Sequence, residues 1–312
     1  MTRARTDPPV ISVASDDPDV GAAVRAWLAG GRLEPPSHIA LDIKVGKPDV
    51  GRDARLPFEQ PGVLVRAGAP EGVVRISWEA APAVAELPPG AATARVTLSP
   101  EAVARLDECL RTFLLAVLVY VLRRVGWHHI HAATAVDPRQ RGWLIAGCSQ
   151  GGKSTTAALL ASRGWGVGTD DVAFLAAEAE RVTVMAFHAP IALRPGERNL
   201  LRRAGGVLLP ERRKVGYWPE DLGGRWIPRV DPEVILFTSV VNGSETTQVE
   251  RLGRREGLAE LIRWSAWVLL EPERAREHLE LLTVLARQAR SYRVRLGRDL
   301  FEHPDRLAEL VG

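Results

Sequence analysis

The chemistry in this chain of 312 residues is announced by one octapeptide. Gly147-Cys148-Ser149-Gln150-Gly151-Gly152-Lys153-Ser154 fits the pattern G-x-x-x-x-G-K-[ST] without a mismatch. The residue types answer a physical demand. Glycines let backbone N–H groups turn inward and approach anionic oxygens. A helix that opens directly after the loop adds its unpaired N–H groups and its dipole. Lys153 can then reach the outer phosphates of a nucleoside triphosphate, Ser154 can ligate a divalent cation, and Thr155 extends the polar lining. The set expected to hold nucleotide is therefore Gly147, Ser149, Gln150, Gly151, Gly152, Lys153, Ser154 and Thr155. Gly147 to Gly151 also fits G-x-S-x-G, a strand-to-helix elbow that would make Ser149 a nucleophile. That alternative leaves Gly152-Lys153-Ser154 unexplained.

The loop must be held by a strand before it and a helix after it. Trp143–Ala146 (WLIA) reads as a buried strand, and Lys153–Arg163 as a helix closed by Gly164. A further strand, Trp165–Gly168, delivers Asp170 and Asp171. Strand ends gather at the ligand edge of a parallel sheet, so the pair is expected beside the loop's cargo. One carboxylate would hold metal and the other would accept a proton from an attacking hydroxyl. The alternative is a solvated turn. His131 lies on the preceding strand, His129–Val136, joined to Trp143–Ala146 by the turn Asp137–Gly142.

Around this centre, residues 1–18 read as a loose leader and 19–95 as a small Pro- and Gly-rich lobe with strand-like runs such as Gly62–Arg66 and Gly72–Trp78. Residues 96–312 read as the catalytic domain. A helix is expected from Ser99-Pro100-Glu101 to about Val125. Further strands are expected at Val172–Ala176, Arg181–Phe187, Val234–Val241 and Tyr292–Leu296. A helical tail spans Arg254–Ala289 with a break at Glu271-Pro272, and a short helix, Pro304–Leu310, follows.

Composition sets outer limits. Hydrophobic residues at 46% and charged residues at 25% suit a globular chain with a sizeable core. The net charge of +3 and pI near 9.1 lack the clustered basic and aromatic residues of a nucleic-acid binder. Arg202, Arg203, Arg212, Arg213 and Lys214 come nearest to such a cluster. Cys109 and Cys148 form neither a disulfide pattern nor a zinc pattern, which points to a reducing compartment. Residues 1–18 lack the apolar stretch of a signal peptide. The longest apolar run, Phe113–Leu122, is too short for a bilayer that needs about 20 residues. A soluble, cytoplasmic protein with no nucleic-acid or membrane partner is expected. No ABC signature and no N-K-x-D guanine motif occurs.

His131, the loop ending Gly-Lys-Ser, the helix ending Arg163-Gly164 and the strand ending Asp170-Asp171-Val172 together resemble the HPr kinase/phosphorylase superfamily, whose nucleotide site is related to that of phosphoenolpyruvate carboxykinase. The resemblance covers about His131 to Val172. It implies a P-loop kinase domain of α/β class with a mixed central sheet, beside the smaller N-terminal α+β lobe. It implies ATP and Mg²⁺, with Ser154 and Asp170 at the metal, and phosphorylation of a serine hydroxyl. Asp171 is favoured as general base, with Asp170 orienting it or helping to hold the metal. Lys153 would bind phosphate, and His131 would support the Asp pair.

The family's later acidic, Arg- and Gly-rich signature is absent. The corresponding stretch, Met185–Arg194 (MAFHAPIALR), has no acidic residue. That departure points away from HPr as substrate and from phosphorolysis. The chain looks more like divergent relatives found with peptide natural-product pathways, where a precursor peptide's serine is phosphorylated. Arg194, Arg198 and Lys214 would either stabilise the transferred phosphoryl group or be solvated surface charges. Relatives assemble into oligomers. A small-molecule kinase, acting on a hydroxy amino acid or sugar, and a non-catalytic ATP-binding regulator stand as alternatives.

Overall fold

The computed structural model describes residues 11–49, 58–60, 63–67, 72–194, 206–209, 214–241, 243–265 and 272–312. The contacts divide the chain into two compact units, one essentially residues 1–128 and the other essentially residues 129–312.

The first unit is built on a seven-stranded sheet. Strand β1 (Ile11–Ser15), helix α1 (Pro18–Gly31) and strand β2 (Ile39–Val45) form a parallel crossover. Asp17 caps α1, its carboxylate accepting from Asp19 N at 2.9 Å and Val20 N at 3.0 Å, with Pro18 next to it. So residues 11–18, expected as part of a loose leader, supply a strand and a helix start. Strands β3 (Phe58–Gln60), β4 (Val63–Ala67), β5 (Val74–Trp78) and β6 (Ala83–Leu87) form an antiparallel meander that ends on β7 (Thr93–Leu98), the parallel neighbour of β2.

The helix expected over residues 99–125 is present in pieces: α2 (Pro100–Ala104), α3 (Leu106–Cys109), a π-helical turn (Leu110–Leu114) and α4 (Leu115–Arg123). Ser99 caps it as expected, accepting from Ala102 N at 3.2 Å. Arg105 breaks the first turn by leaving helical ψ. Phe113 and Leu122 are fully buried. These helices cluster with the first sheet, so the expected boundary at residue 95 falls inside the first unit.

The second unit carries a mixed sheet. Its strands are β8 (His128–Val136), β9 (Gly142–Gly147), β10 (Gly166–Thr169), β11 (Val172–Glu178) and β12 (Arg181–Ala186). A separate three-stranded sheet holds β13 (Ile191–Leu193), β14 (Val207–Leu209) and β15 (Lys214–Tyr217). The main sheet is completed by the short β16 (Arg225–Trp226) and β17 (Arg229–Val230), then β18 (Pro232–Val240), β19 (Gln248–Leu252) and β20 (Arg290–Leu296). Helix α5 (Lys153–Ala161) follows β9, α6 (Arg254–Arg263) and α7 (Pro272–Gln288) precede β20, and α8 (Asp299–Glu302) and α9 (Arg306–Leu310) close the chain.

The order of the main sheet is β17-β12-β11-β8-β9-β18-β20-β19, with β10 paired to β8 and β16. Strands β9, β18 and β20 are parallel. Both faces of β9 are covered, which explains its unbroken burial. Trp143 and Ile145 face α5, the three-stranded sheet and the C-terminal helices. Leu144 and Ala146 face α6 and α7. The last residues are pinned to this unit: Tyr292 OH donates to Val311 O at 2.8 Å, and Trp165 Nε1 donates to Asp305 Oδ1 at 3.2 Å. No helix among the described residues is long and apolar enough to cross a membrane.

Candidate functional site

Strand β9 runs straight into the Gly147–Ser154 loop, and α5 begins at Lys153. Three glycines of the loop are obligatory for steric reasons. A Cβ on Gly147 would sit 2.4 Å from the carbonyl oxygen of Thr238, and one on Gly151 would sit 2.8 Å from the same atom. Gly152 is left-handed at φ +89°, and a Cβ there would meet Leu296 Cδ1 at 2.4 Å. Gln150 also adopts φ +67°, a conformation that favours glycine. Ser149 is not among the left-handed residues. The strained nucleophile that the G-x-S-x-G alternative requires is therefore missing, and the strain lies one residue later.

The Lys153 side chain is buried and folds back over its own loop, Nζ donating to Gly147 O at 2.9 Å and Cys148 O at 3.0 Å. Burial pushes its pKa down, against the pull of Asp171, Cys148 and Asp170, while the Lys214 charge adds to the depression. The ammonium thus shares an electrostatic field with both aspartates and with Lys214.

The route by which the aspartates arrive differs from the expected one. Strand β10 is not beside β9. Both are antiparallel to β8, which lies between them, so they point the same way and end at the same edge. Thr169 closes β10: its Oγ1 accepts from Asp171 N at 3.3 Å and Val172 N at 3.2 Å, and its own N–H donates to Thr134 Oγ1 at 3.2 Å. Asp170 is buried, and its Oδ2 accepts from Ala192 N on β13 at 3.1 Å. Asp171 is partly exposed, and its Oδ1 lies 2.6 Å from His131 Nδ1. One carboxylate is fixed by a backbone amide, and the other faces solvent with an imidazole behind it.

His129, buried one turn of the pleat away, packs edge-on to Phe174 at 6.0 Å between centroids. Burial pushes it down to about 4; the charge of His131 adds to this and that of Asp171 opposes it. It is thus neutral near neutral pH and places no positive charge beneath the pair.

Ser154 and Thr155 stand at the start of α5, and both are half-buried. Arg194 is exposed just past β13, and Lys214 opens β15; the pairing of Leu193 with Val215 brings these two cations to the same end of the small sheet. Arg198 lies outside the described residues, as do Arg202, Arg203, Arg212 and Arg213. Among the described residues no group of three His, Cys, Asp or Glu could hold a metal on its own.

Several contributors carry no sequence signal. The amide of Ala192 is backbone. Thr238, whose Oγ1 donates to Ala146 O at 3.3 Å, reaches the loop only through the register of β18 with β9. The half-buried rings of His188, Trp218 and Trp226 come from three segments. His188 stacks on Trp218 at 4.7 Å and meets Trp226 edge-on at 4.6 Å. Trp226 Nε1 donates to Gly168 O at 3.0 Å, and Phe187 N donates to Val172 O at 3.3 Å. These rings are therefore tied to the backbone on either side of the Asp pair.

No protein-family model matches the chain, and no curated protein matches it. Among solved structures, the HPr(Ser) kinase/phosphatase from Coxiella burnetii is similar at 16% identity, over 59% of this chain and 88% of that one, with a TM-score of 0.32. A likeness of that extent carries no inference about activity, which rests instead on the residues of the site.

Proposed function

We propose that the chain is an ATP-dependent kinase that transfers the γ-phosphoryl group to a serine-type hydroxyl, on a peptide or protein such as a natural-product precursor peptide. The feature that supports this reading is the arrival at one sheet edge of the glycine loop with Lys153 and of Asp171 paired with His131. A glycine loop at a helix start and an imidazole-backed carboxylate are ordinary apart; together they are what phosphoryl transfer needs.

The chain's residues divide the work. The loop amides and Lys153 bind the phosphates, Lys153 exchanging its contacts with Gly147 O and Cys148 O for phosphate oxygens. Asp171 accepts the proton of the attacking hydroxyl while that oxygen bonds to the γ-phosphorus and the bond to the β–γ bridging oxygen breaks, leaving ADP. His131, through Nδ1–H, orients Asp171. Lys214, and Arg194 beside it, balance the charge on the transferred group. The oxygen donors Ser154 and Asp170 suit Mg²⁺, which takes one or two protein oxygens and completes its shell with phosphates and water. Bound there, Mg²⁺ would neutralise phosphate charge.

The test is transfer of label from γ-labelled ATP in Mg²⁺ to a panel of serine-containing peptides, free serine, homoserine and common sugars. Label on a peptide supports the reading. Label confined to a small alcohol would replace it with a small-molecule kinase, and ATP binding without transfer to any acceptor would favour the non-catalytic regulator.

A further inference from the structure

Val240 and Val241 are anomalous. In strand β18 Val234 to Thr238 are all buried, yet Val240 at its C-terminal end and Val241 just beyond it are 51% and 43% exposed. Their position is not arbitrary. Thr238 pairs in register with Gly147, so the two valines extend beyond the point where β9 turns into the glycine loop. The Cβ position of Gly152 lies 3.2 Å from Val240 Cγ2 and 2.4 Å from Leu296 Cδ1. An apolar step thus abuts Gly152, the residue that caps the loop's helix.

The step is rigid. Ser244 N donates to Val241 O at 3.1 Å, turning the chain back after β18. The turn is then zipped to the end of β20: Arg298 N donates to Ser244 O and Asp299 N to Glu245 O, both at 3.0 Å. Thr247 adds three bonds, accepting from Gly297 N at 3.0 Å and donating to Asp299 Oδ1 from N at 2.9 Å and from Oγ1 at 2.7 Å. An exposed valine on a floppy loop would be unremarkable; Val240 beside Leu296 on a preorganised edge is a contact surface.

The sheet order says which end of a nucleotide reaches it. The Asp pair approaches the loop from the β8 and β10 side of β9, and the valine step stands on the β18 and β20 side. A triphosphate lying on the loop with its γ-end toward Asp171 directs its nucleoside the other way, over Val240 and Leu296. We infer that these two residues form the shelf on which the flat face of the nucleotide's base rests. The inference rests on the kinase reading for the placement of the phosphates. It adds the subsite that makes the donor a nucleotide and not a bare polyphosphate.

The test compares MgATP with magnesium tripolyphosphate by calorimetry on the full chain, for the natural protein and for the variant Val240→Ser. The position is solvent-facing, so the fold is retained. The expected result is a loss of about tenfold in ATP affinity with tripolyphosphate affinity unchanged, the scale of losing one or two buried aliphatic contacts. Unchanged ATP affinity overturns the inference, as does an equal fall for both ligands. So does a variant that alters only self-association in sedimentation, which would make the shelf a contact between copies of this chain. If the natural protein binds tripolyphosphate but ATP no better, the shelf fails and the phosphate loop survives. If it binds neither, the loop reading itself fails and takes the shelf with it.

Discussion

Acidification should weaken the second unit through His129 alone by a calculable amount. In the unfolded chain this imidazole titrates near its ordinary 6.5, whereas in the fold burial holds it down at about 4. Above pH 6.5 it is neutral in both states and contributes no pH dependence. Between 6.5 and 4 the unfolded state takes up a proton that the folded state refuses, so stability falls as pH falls. The gap of 2.5 units, from 6.5 to 4, amounts to about 3 kcal/mol at 1.36 kcal/mol per unit. His129→Gln removes the titration. At high pH the variant should be less stable by about 1 kcal/mol, the scale of the lost edge-on contact with Phe174. As pH approaches 4 the order should invert, the variant becoming more stable by about 2 kcal/mol. Urea unfolding of both proteins across this range, followed by a probe in the second unit, measures the difference directly. Parallel curves, with a constant offset at every pH, would refute the depressed pKa and with it the neutral layer beneath Asp171.

Other outcomes follow from the same geometry. Gly152→Ala should cost about 2 kcal/mol in thermal unfolding from its left-handed φ and the clash with Leu296; adding Leu296→Ala should recover the steric part but not the backbone part. Asp170→Ala should cost about 1–3 kcal/mol because it strands the buried Ala192 N–H, whereas Asp171→Ala, at a partly exposed position, should cost under about 1 kcal/mol yet lose at least a hundredfold in transfer. Lys153→Met should abolish transfer while circular dichroism stays native, since Nζ donates to two carbonyls of its own loop, Gly147 O and Cys148 O. Gln150→Gly should preserve ATP binding and stabilise by up to about 1 kcal/mol by relieving φ +67°.

What could be read in advance was local. The glycine loop, its strand and its helix are contiguous, and their periodicity and turn chemistry mark them: β9 and α5 begin within a residue of expectation. The Asp pair was legible as a strand end, but its partner strand was not. Sheet neighbours are set by tertiary pairing, so the sandwiching of β8 between β9 and β10 could not be seen in the residues. The same holds for Ala192, whose amide reaches Asp170 across 22 positions of sequence. Helix α1 spans the expected limit between leader and lobe at residue 18. Gly21, Gly30 and Gly31 weaken its helical signal, although Asp17-Pro18 is a sound start signal. The helix before β8 was overdrawn because apolar continuity hides a break at Arg105 that only its backbone angles disclose.

The most direct test of the central claim is a paired measurement of ATP binding and γ-phosphoryl transfer in the natural protein and in Asp171→Ala, with a serine peptide found in the acceptor panel. The expected result is equal ATP affinity for both proteins, with label reaching the serine only in the natural one. Undiminished transfer by Asp171→Ala would contradict the assignment of Asp171 as base, and failure of the natural protein to bind ATP would contradict the kinase reading as a whole.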